Sequence, residues 1–455
     1  MQAWTAVVLA AGLGSRMKSR TPKVLHSVCG LPMVAYPLAI GHVAGRSAVA
    51  LVVPSEHQII HASLGDTVRY VVQESPQGTG HALLQTRPFL EDQGGHILVL
   101  YGDTPLLRLA SVQKLMAHHV ETNSDLTLLT AIEGPQDGMG RVVRNSSGGV
   151  AQIIEERDAS PKQRSIPEVN GGVSCFRASW LWPHLAKLTP SNDRGEIYLP
   201  DLVSLAATSG GKVEAVPVDD PWEVFGVNNR AQLAKAEAVL RERVRQHWMR
   251  EGVTLLDPAS TFIDASVRLG KDTVIHPNTH IHGKTTIGEE CHIGPNTVIN
   301  DSGIGNRCRI LASFLTEASL ETEADVGPFS HLRPGTYIER KTHIGNFVEI
   351  KNSRLGRATT AGHFSYIGDA TLGPNVNIGA GSISCNFDGV DKHHTLVGED
   401  AFIGCDTLLV APVEIGNRAI TGAGAVVTHD VPDDTLVIGM PAVPQKRSSA
   451  RDPVS

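Results

Sequence analysis

The stretch TFIDASVRLGKDTVIHPNTHIHGKTTIGEECHIGPNTVIN, residues 261–300, decides the fold of half the chain, because an aliphatic side chain stands at every sixth position. Each of these side chains is followed by a glycine or a polar residue, and they are Ile263, Leu269, Ile275, Ile281, Ile287, Ile293 and Ile299. A six-residue period gives each face of a triangular prism one inward side chain, so three periods complete one coil. The stretch therefore predicts a parallel β-helix.

The same period returns in two later blocks, and single-residue slips separate other turns. The blocks comprise Val326, Leu332, Ile338, Ile344 and Ile350, then Val397, Ile403, Leu409, Ile415, Thr421 and Val427. Residues 263–427 thus predict about nine coils, on the order of 45 Å tall at the usual strand spacing. The segment CNFDGVDKHHTL, Cys385–Leu396, breaks the period, and we expect it to loop out within reach of a ligand or a neighbouring subunit. The polar end, Gln445–Ser455, is predicted to be disordered.

The N-terminal half alternates short apolar runs with longer amphipathic stretches such as Met33–Val43 and Ser111–Val120. The apolar runs are Ala6–Ala11, Ala48–Val53, Arg69–Val72, His96–Tyr101 and Leu126–Ala131. Runs that are apolar throughout are typical of a parallel sheet covered on both faces, which predicts a doubly wound, Rossmann-like α/β domain. Ligands of such domains lie beyond the carboxyl ends of the strands, so the loops there are the places to search for chemistry.

A helix is predicted between the two halves, because Leu233, Ala236, Leu240 and Val244 recur at helical spacing and Gly252 follows as a stop. This apolar stripe fits a connector between domains and the last helix of the first domain equally well. We expect a first domain over residues 1–227, a linker helix over 228–250 and a second domain over 251–455, with a disordered tail from about 445.

Length, composition and charge set limits on the class of protein. A chain of 455 residues exceeds what one hydrophobic core usually serves, and 5% aromatic residues with 45 glycines fit a partly repetitive fold. The net charge of -7 disfavours nucleic acid or an anionic membrane as a partner. The six cysteines form no C-x-x-C pair, which argues for free thiols in a reducing compartment and against zinc. Because the first apolar run is also too short to span a bilayer, we predict a cytoplasmic protein without a membrane segment.

A glycine-rich turn follows the first predicted strand in LAAGLGSRM, Leu9–Met17, and PKVL, Pro22–Leu25, comes soon after it. Backbone N–H groups in such a turn can approach phosphate oxygens, while Arg16 and Lys23 neutralise their charge. The turn is not a Walker A loop, because no Gly-Lys-Ser/Thr follows it. It is not a dinucleotide fingerprint either, because Met17 stands where the third glycine of that motif belongs. The alternative is a tight turn with two solvated basic residues.

A carboxylate stands at the end of a later strand in YGDTP, Tyr101–Pro105. Asp103 at the carboxyl edge of the sheet is suited to hold Mg²⁺ against phosphate oxygens. An aspartate that only caps a loop is the alternative, since Asp is common in turns.

With QGTGHA (Gln77–Ala82), GVNNR (Gly226–Arg230) and the hexapeptides, these motifs resemble the bacterial bifunctional N-acetylglucosamine-1-phosphate uridylyltransferase / glucosamine-1-phosphate acetyltransferase family over residues 3–445. The resemblance implies a nucleotidyltransferase domain followed by a left-handed parallel β-helix. It also implies UTP and acetyl-CoA as cosubstrates, Mg²⁺, and a UDP-N-acetylglucosamine product that supplies peptidoglycan, lipopolysaccharide and cell wall. One departure is Gly80, where relatives often have alanine, and we expect it to loosen the loop.

The resemblance also implies roles for residues of the first site. Arg16 and Lys23 would contact phosphates and assist catalysis, while Asp103 and Asn228 would bind Mg²⁺. The remaining contacts to UDP-N-acetylglucosamine would be uracil contacts at Gln73, Gly78 and Thr79, sugar contacts at Gly140, Glu155 and Asn170, and further contacts at Leu9, Ala10, Gly12, Tyr101 and Gly102. Alternatives stay open for the sugar residues, because Gly140 fits a turn, Glu155 a solvated strand and Asn170 a cap.

The second site would be built on AGHFSYIG, Ala361–Gly368, which resembles the acetyltransferase motif of the family. There His363 would be the base that deprotonates the glucosamine amine. The other implied contacts are Arg333, Lys351, Tyr366 and Asn377 for glucosamine 1-phosphate, and Ala380, Asn386, Phe387, Cys405, Ala423 and Met440 for acetyl-CoA. Relatives usually have tyrosine, serine and a basic residue at the positions of Phe387, Cys405 and Met440. Corner asparagines and a surface tyrosine are the alternative interpretation.

Two other functions remain open at this point. The chain could be a single-activity nucleotidyltransferase whose β-helix only oligomerises, or a subunit of the same fold without catalysis. His363 and Lys351 argue against the first alternative, and Lys23 and Asp103 against the second. The three-faced prism offers flat sides for parallel association, so we also predict a homotrimer with the looped-out segment near the neighbour's pocket.

Overall fold

The computed structural model describes residues 3–45, 49–135, 138–190 and 195–439. The chain divides into two compact units, Met1–Glu242 and Arg243–Ser455. Across those described ranges, none of the helices combines the length and the apolarity that crossing a membrane requires. The predicted disordered tail, Gln445–Ser455, lies outside the described residues.

The first unit is built on a nine-stranded sheet, and the first strand of the chain, Trp4–Leu9, lies in its interior. That strand is buried along its whole length and pairs in parallel with Val49–Pro54 and His96–Tyr101. Arg69–Gln73 extends the parallel part at one edge. The predicted runs and the two predicted helices are confirmed within a few residues, because continuous apolar stretches do form the buried strands.

The predicted parallel sheet also contains antiparallel strands. Strand Glu168–Arg177 lies between His96–Tyr101 and Leu126–Ile132 and is antiparallel to both. Its sequence, EVNGGVSCFR, is less apolar than those of its neighbours, so it does not stand out among the apolar runs, and burial in any case does not reveal strand direction. The hairpin Arg141–Arg144 and Val150–Ile154 precedes this strand, and its first strand pairs with Glu168–Arg177. The sheet is therefore mixed. Its parallel part carries the glycine-rich turn after Trp4–Leu9 and the loop after His96–Tyr101.

The elements of the first unit are the following. Its strands are Trp4–Leu9, Ser27–Val28, Leu31–Pro32, Val49–Pro54, Arg69–Gln73, His96–Tyr101, Leu126–Ile132, Arg141–Arg144, Val150–Ile154, Glu168–Arg177 and Val213–Pro217. Its helices are Ala35–Ala44, Gln58–Leu64, Thr79–Leu84, Arg87–Leu90, Leu109–Glu121, Pro161–Arg164, Ala178–Leu185 and Asp201–Ser209, with 3₁₀ turns at Ser15–Met17, Lys23–Leu25, Glu91–Gln93 and Pro221–Val224.

The predicted connecting helix spans Arg230–Arg250. The division between the two units falls inside it, after Glu242. Ala236, in its first half, is buried in a cluster of the first unit, and Trp248, in its second half, belongs to the core of the second unit. The apolar stripe thus serves both units in turn, which is why its sequence fits both of the roles considered above.

The second unit is a prism of three parallel sheets, which we call the first, second and third faces in chain order. The first face has strands Thr254–Leu255, Val274–Ile275, His292–Ile293, Arg309–Ile310, Asp325–Val326, His343–Ile344, Thr360–Ala361, Asn377–Ile378, Phe402–Ile403, Ile420–Thr421 and Leu436–Val437. The second face has Phe262–Ile263, His280–His282, Val298–Asn300, Phe314–Thr316, His331–Leu332, Val348–Lys351, Ser365–Gly368, Ile383–Cys385, Leu408–Val410 and Val426–Val427. The third face has Arg268–Leu269, Thr286–Ile287, Gly303–Ile304, Ser319–Leu320, Tyr337–Ile338, Arg354–Leu355, Ala370–Leu372, Thr395–Val397 and Val413–Ile415.

The interior of the prism is the aliphatic column that the six-residue period predicts. These side chains form one continuous buried cluster from Val253 to Val431. The prism extends beyond residues 263–427, for which about nine coils were predicted, because strands Thr254–Leu255 and Leu436–Val437 lengthen the first face at both ends. Their aliphatic residues stand off the period, so the sequence pattern does not reveal them.

The looped-out segment is confirmed. The second-face strand ends at Cys385 and the third-face strand resumes at Thr395, with a single bridge between Phe387 and Lys392 inside the excursion. We call residues 386–394 the corner loop. Because Thr395–Val397 pairs with both the coil before it and the coil after it, the insertion leaves the stacking of the prism intact.

Candidate active sites

A cavity of about 740 Å³ lies at the carboxyl ends of the parallel strands of the first unit. It brings together the predicted phosphate, uracil and metal residues, namely Leu9, Ala10, Gly12, Arg16, Lys23, Gln73, Gly78, Thr79, Tyr101, Asp103 and Asn228. These residues come from four separate segments of the chain. The strand order explains the meeting, because Trp4–Leu9 lies beside His96–Tyr101 and the loops that follow parallel strands emerge at the same edge.

The backbone of the glycine-rich turn allows Lys23 to pack directly against Gly14. Gly14 has a left-handed backbone with φ 62°, and a Cβ there would come within 2.5 Å of the Cβ of Lys23. Only glycine fits that approach. A Cβ on Gly12 would meet nothing within 4 Å, so the space beside this residue is open to the cavity. The predicted close approach of backbone to ligand therefore has room at Gly12.

The predicted metal ligands converge on one cation. The Lys23 ammonium contacts the carboxylate of Asp103 and also donates to Asn228 Oδ1 at 3.2 Å. Arg16 Nη2 donates to the same Asn228 oxygen at 3.1 Å. Two oxygens that share one ammonium are close enough to share a metal ion, and a carboxylate with an amide oxygen is a donor set that suits Mg²⁺. The residues therefore fit the implied metal.

Gln73, which also lines the cavity, is buried, and hydrogen bonds fix the orientation of its side-chain amide. Its Nε2 donates to Gly78 O at 3.1 Å and lies 2.9 Å from His81 Nδ1. Burial lowers the pKa of His81, so the neutral ring can accept this hydrogen bond. With the amide nitrogen engaged twice, Oε1 of Gln73 remains as an acceptor, which is the group that an N–H of a base needs.

The turn that carries Gly78 and Thr79 is braced by one passing segment. Ile197 N donates to Gln77 O at 2.8 Å, and Gly80 N donates to Ile197 O at 2.9 Å. A Cβ on Gly80 would come within 2.8 Å of Ile197 Cγ2, so an alanine at this position would crowd that isoleucine. Gly80 therefore permits the turn to pack closely against Ile197. This differs from the looser loop that we expected from the sequence.

The predicted sugar residues lie together but do not line the cavity. Asn170 N donates to Gly140 O at 2.8 Å, and a Cβ on Gly140 would stand 3.5 Å from Glu155 Oε1. Burial raises the pKa of the Glu155 carboxyl, against the opposing charge of Arg157. Gly102 also stays behind the cavity wall, where its N–H bonds Leu9 O at 2.9 Å. Glu155 is thus not the freely solvated strand residue of the alternative interpretation.

Three residues on the rim of the cavity have no motif that could have revealed them. Arg157 contacts the hydroxyl of Tyr198, lies 5.1 Å from its ring centroid and approaches Glu196 at 3.8 Å. All three line the cavity. A single arginine in an irregular loop looks like any solvated residue, so only the folded chain brings it to this site.

In the second unit, the predicted base and the predicted acetyl-CoA positions form one column. His363, Ala380, Cys405 and Ala423 each stand two residues beyond first-face positions that pair in register. Backbone hydrogen bonds continue around this corner, from Asp406 N to Ala380 O at 2.7 Å and from Gly424 N to Cys405 O at 2.8 Å. The imidazole of His363 is exposed. We call this edge of the prism the His363 corner, and Met440 lies outside the described residues.

The predicted sugar-phosphate residues lie on both sides of the His363 corner. Arg333 and Lys351 stand in neighbouring coils of the second face, and Arg333 pairs with Glu349 at 2.7 Å. The Tyr366 ring and hydroxyl lie over Gly368 on the same face. Asn377 belongs to the first face. One chain therefore presents these side chains on an outer edge rather than inside a closed cavity.

The corner loop adds a cation that the sequence interpretation missed. Interaction with Lys351 lowers the pKa of Lys392 below its ordinary value, because the two like charges lie near each other. Two adjacent cations on a surface favour an anion between them. The interruption of the period at residues 385–396 was the available signal, but it could not indicate which residue of the loop returns to the prism.

Comparison with known proteins covers both units. Residues 6–211 match the MobA-like NTP transferase domain, and residues 266–301 and 394–429 match the bacterial transferase hexapeptide. The chain is 44% identical over 433 residues to the bifunctional protein GlmU of Geobacillus sp. (strain WCH70), which covers 95% of this chain and 94% of that protein. Proteins of the same name from Caldanaerobacter subterraneus and Heliobacterium modesticaldum are each 44% identical, over 96% and 95% of this chain and 95% of their own lengths. These matches confirm the nucleotidyltransferase and left-handed β-helix classes.

Proposed function

The chain belongs to the family of bifunctional GlmU proteins, and we propose that each of its two units carries one of the two reactions. It is a bifunctional enzyme of UDP-N-acetylglucosamine synthesis, with an N-acetylglucosamine-1-phosphate uridylyltransferase and a glucosamine-1-phosphate acetyltransferase activity. Its substrates are small molecules, among them nucleotides. The assignment of sites below rests on the cavity of the first unit and on the His363 corner of the second.

In the first unit, the phosphate oxygen of N-acetylglucosamine 1-phosphate attacks the α-phosphorus of UTP and pyrophosphate leaves. No protein nucleophile is needed, so catalysis consists of positioning and charge neutralisation. Lys23 and Arg16 supply cations at the phosphate end of the cavity, and Gln73 offers an acceptor to the base. Asp103 and Asn228 would hold Mg²⁺, and the bound ion would neutralise phosphate charge. The observation that supports this assignment is the convergence of both oxygens on Lys23.

In the second unit, His363 accepts a proton from the amino group of glucosamine 1-phosphate. The nitrogen then attacks the thioester carbonyl of acetyl-CoA, the carbon–sulfur bond breaks, and CoA leaves as the thiol after it takes up a proton. Lys351 and Lys392, with Arg333 nearby on the same face, supply charge for the sugar phosphate. The column of Ala380, Cys405 and Ala423 offers a line of small residues and backbone along which an extended cosubstrate fits.

We further propose that the enzyme is a homotrimer. The supporting observation is that the acetyl-transfer residues occupy an outer edge, with Asn377 and Lys351 on different faces. A second copy beside this edge would enclose the substrates. Light scattering is expected to report three times the chain mass of 48.6 kDa. A fully active species at the mass of one chain would contradict the trimer.

The substrates and the cysteines support a cytoplasmic location. All six cysteines are free thiols, four of them buried, which fits a reducing compartment. Both cosubstrates are metabolites of the bacterial cytoplasm in the family that the chain resembles.

The function is tested with the purified full-length chain in two separate assays. UTP, Mg²⁺ and N-acetylglucosamine 1-phosphate are expected to release pyrophosphate, and acetyl-CoA with glucosamine 1-phosphate is expected to release CoA. Pyrophosphate without CoA would indicate a single-activity nucleotidyltransferase with an oligomerising β-helix. Release of neither product would indicate a subunit without catalysis.

A further inference from the structure

Asp369 occupies a corner of the prism at the base of the corner loop. It follows the second-face strand Ser365–Gly368 and has a left-handed backbone with φ 49°. Its N–H donates to Lys351 O at 3.0 Å, and its carbonyl accepts from Thr395 N at 3.1 Å. The residue is therefore fixed between the coil that ends with Lys351 and the coil that resumes after the corner loop.

Asp369 is 8% exposed as a residue, and its carboxylate accepts hydrogen bonds from two asparagine side chains. Asn352 Nδ2 donates to Oδ1 at 2.6 Å, and Asn386 Nδ2 donates to Oδ2. An ionised carboxylate can only accept hydrogen bonds, so each amide must turn its nitrogen toward it. For Asn386 this leaves Oδ1 pointing the other way, and that oxygen has no hydrogen-bond partner within residues 195–439 of the structure.

Two further features keep this arrangement fixed. The backbone of Asn386 is held at both ends, because its N–H donates to Ser384 O at 2.9 Å and its carbonyl accepts from His393 N at 2.8 Å. Burial raises the pKa of Asp369, but the two amide hydrogen bonds and the charges of Lys351 and Lys392 outweigh it, so the pKa is lowered. The carboxylate consequently stays ionised at neutral pH, and the orientation of the amide follows from its charge.

We propose that Asp369 is a positioning residue for acetyl transfer, which turns the Asn386 amide so that its carbonyl oxygen accepts an N–H of the pantetheine arm of acetyl-CoA. The inference rests on the proposed function and on the acetyl-CoA contact that the resemblance to the family implies for Asn386. Asp369 itself touches neither substrate. Its effect passes through the side chain of Asn386, and a neutral amide at position 369 would no longer dictate which atom Asn386 presents.

The chain offers a matched pair for control. Asn375 Nδ2 donates to Asp400 Oδ1 at 3.0 Å at another corner of the prism, and Asp400 also has a left-handed backbone, with φ 57°. Asp400→Asn removes the same kind of bond without affecting Asn386. A second control is Asn352→Ala, which removes one hydrogen bond from Asp369 and leaves the bond to Asn386 in place.

The test measures kcat and KM for acetyl transfer in full-length variants. Asp369→Asn is expected to raise the KM for acetyl-CoA about 10-fold, because a substrate N–H loses its acceptor. The KM for glucosamine 1-phosphate and the rate of uridylyl transfer are expected to stay near the wild-type values, as is every parameter of Asp400→Asn and Asn352→Ala. An unchanged KM for acetyl-CoA in Asp369→Asn, or an equal rise in Asn352→Ala, would overturn the proposal.

A double variant tests the orientation of residue 386 and also covers the case in which Asp369→Asn fails to fold. Asp369→Asn with Asn386→Asp keeps a hydrogen bond between the two positions but reverses its direction, so residue 386 still presents an oxygen that can accept the substrate N–H. We expect the KM for acetyl-CoA to return toward the wild-type value in this variant. A KM that stays as high as in Asp369→Asn would overturn the proposal. If the wild-type enzyme itself releases no CoA, the proposed function fails instead.

Discussion

Asp103→Ala is expected to lower uridylyl transfer by about 10²–10³-fold, the loss that follows when a group that stabilises developing charge is removed. Asp103 is the only carboxylate of the two predicted metal ligands, and in the structure it also holds the Lys23 ammonium. Its loss removes both effects from the phosphate end of the cavity. The measurement is pyrophosphate release from UTP and N-acetylglucosamine 1-phosphate, over a series of Mg²⁺ concentrations.

Two controls define this prediction. Acetyl transfer by Asp103→Ala should match the wild type, because the His363 corner belongs to the other unit. Asp219→Ala removes a lysine–aspartate pair of the same unit, with Lys114 at 3.4 Å, that lies outside the cavity, and it should leave both activities unchanged. If Asp103→Ala retains wild-type uridylyl transfer at every Mg²⁺ concentration, Asp103 only caps its loop.

His363→Ala is expected to lower acetyl transfer by ~10²-fold or more, the usual contribution of a general base. Uridylyl transfer should be nearly unchanged. Raising the pH should partly restore the variant, because more of the glucosamine amine is then already neutral and the missing base matters less. CoA release measured as a function of pH for both proteins checks the size of the loss and its partial rescue.

A control histidine is available on the same prism. His429 is exposed and makes its contact with Thr428 rather than with the His363 corner. His429→Ala should leave acetyl transfer at the wild-type rate. Wild-type acetylation by His363→Ala would make His363 a surface histidine. Simultaneous loss of both activities would point to damaged folding, which circular dichroism and light scattering would reveal.

The prism was predictable from the sequence because one physical requirement repeats along it. Each coil must place aliphatic side chains inside, so residues such as Ile275 and Ile344 mark the faces directly. The sheet of the first unit was predictable only in part. The apolar residues of Glu168–Arg177 show that it is buried, but the neighbours of a strand depend on how the chain returns to the sheet. No local pattern carries that information.

Candidate site residues could be predicted from the sequence where they stand in a motif. They could not be predicted where only the fold brings separate side chains together. Gly14, Lys23 and Asp103 stand in motifs because a turn and a strand end impose them. Arg157 and Lys392 reach their sites from irregular loops, so nothing in their neighbours along the chain distinguishes them. The resemblance to a family supplied the remaining roles, and their geometry came from the fold.

The spacing of residues along the His363 corner is set by the stacking of the coils. His363, Ala380, Cys405 and Ala423 lie seventeen, twenty-five and eighteen positions apart in the sequence. In space each interval is one strand spacing, so His363 and Ala423 are about 14 Å apart. The additional residues between Ala380 and Cys405 form the corner loop. The insertion at this corner therefore leaves the distances along the edge unchanged. The distance from His363 to Ala423 can change only by a whole coil at a time, so under the proposed function the length of the cosubstrate would be set in discrete steps.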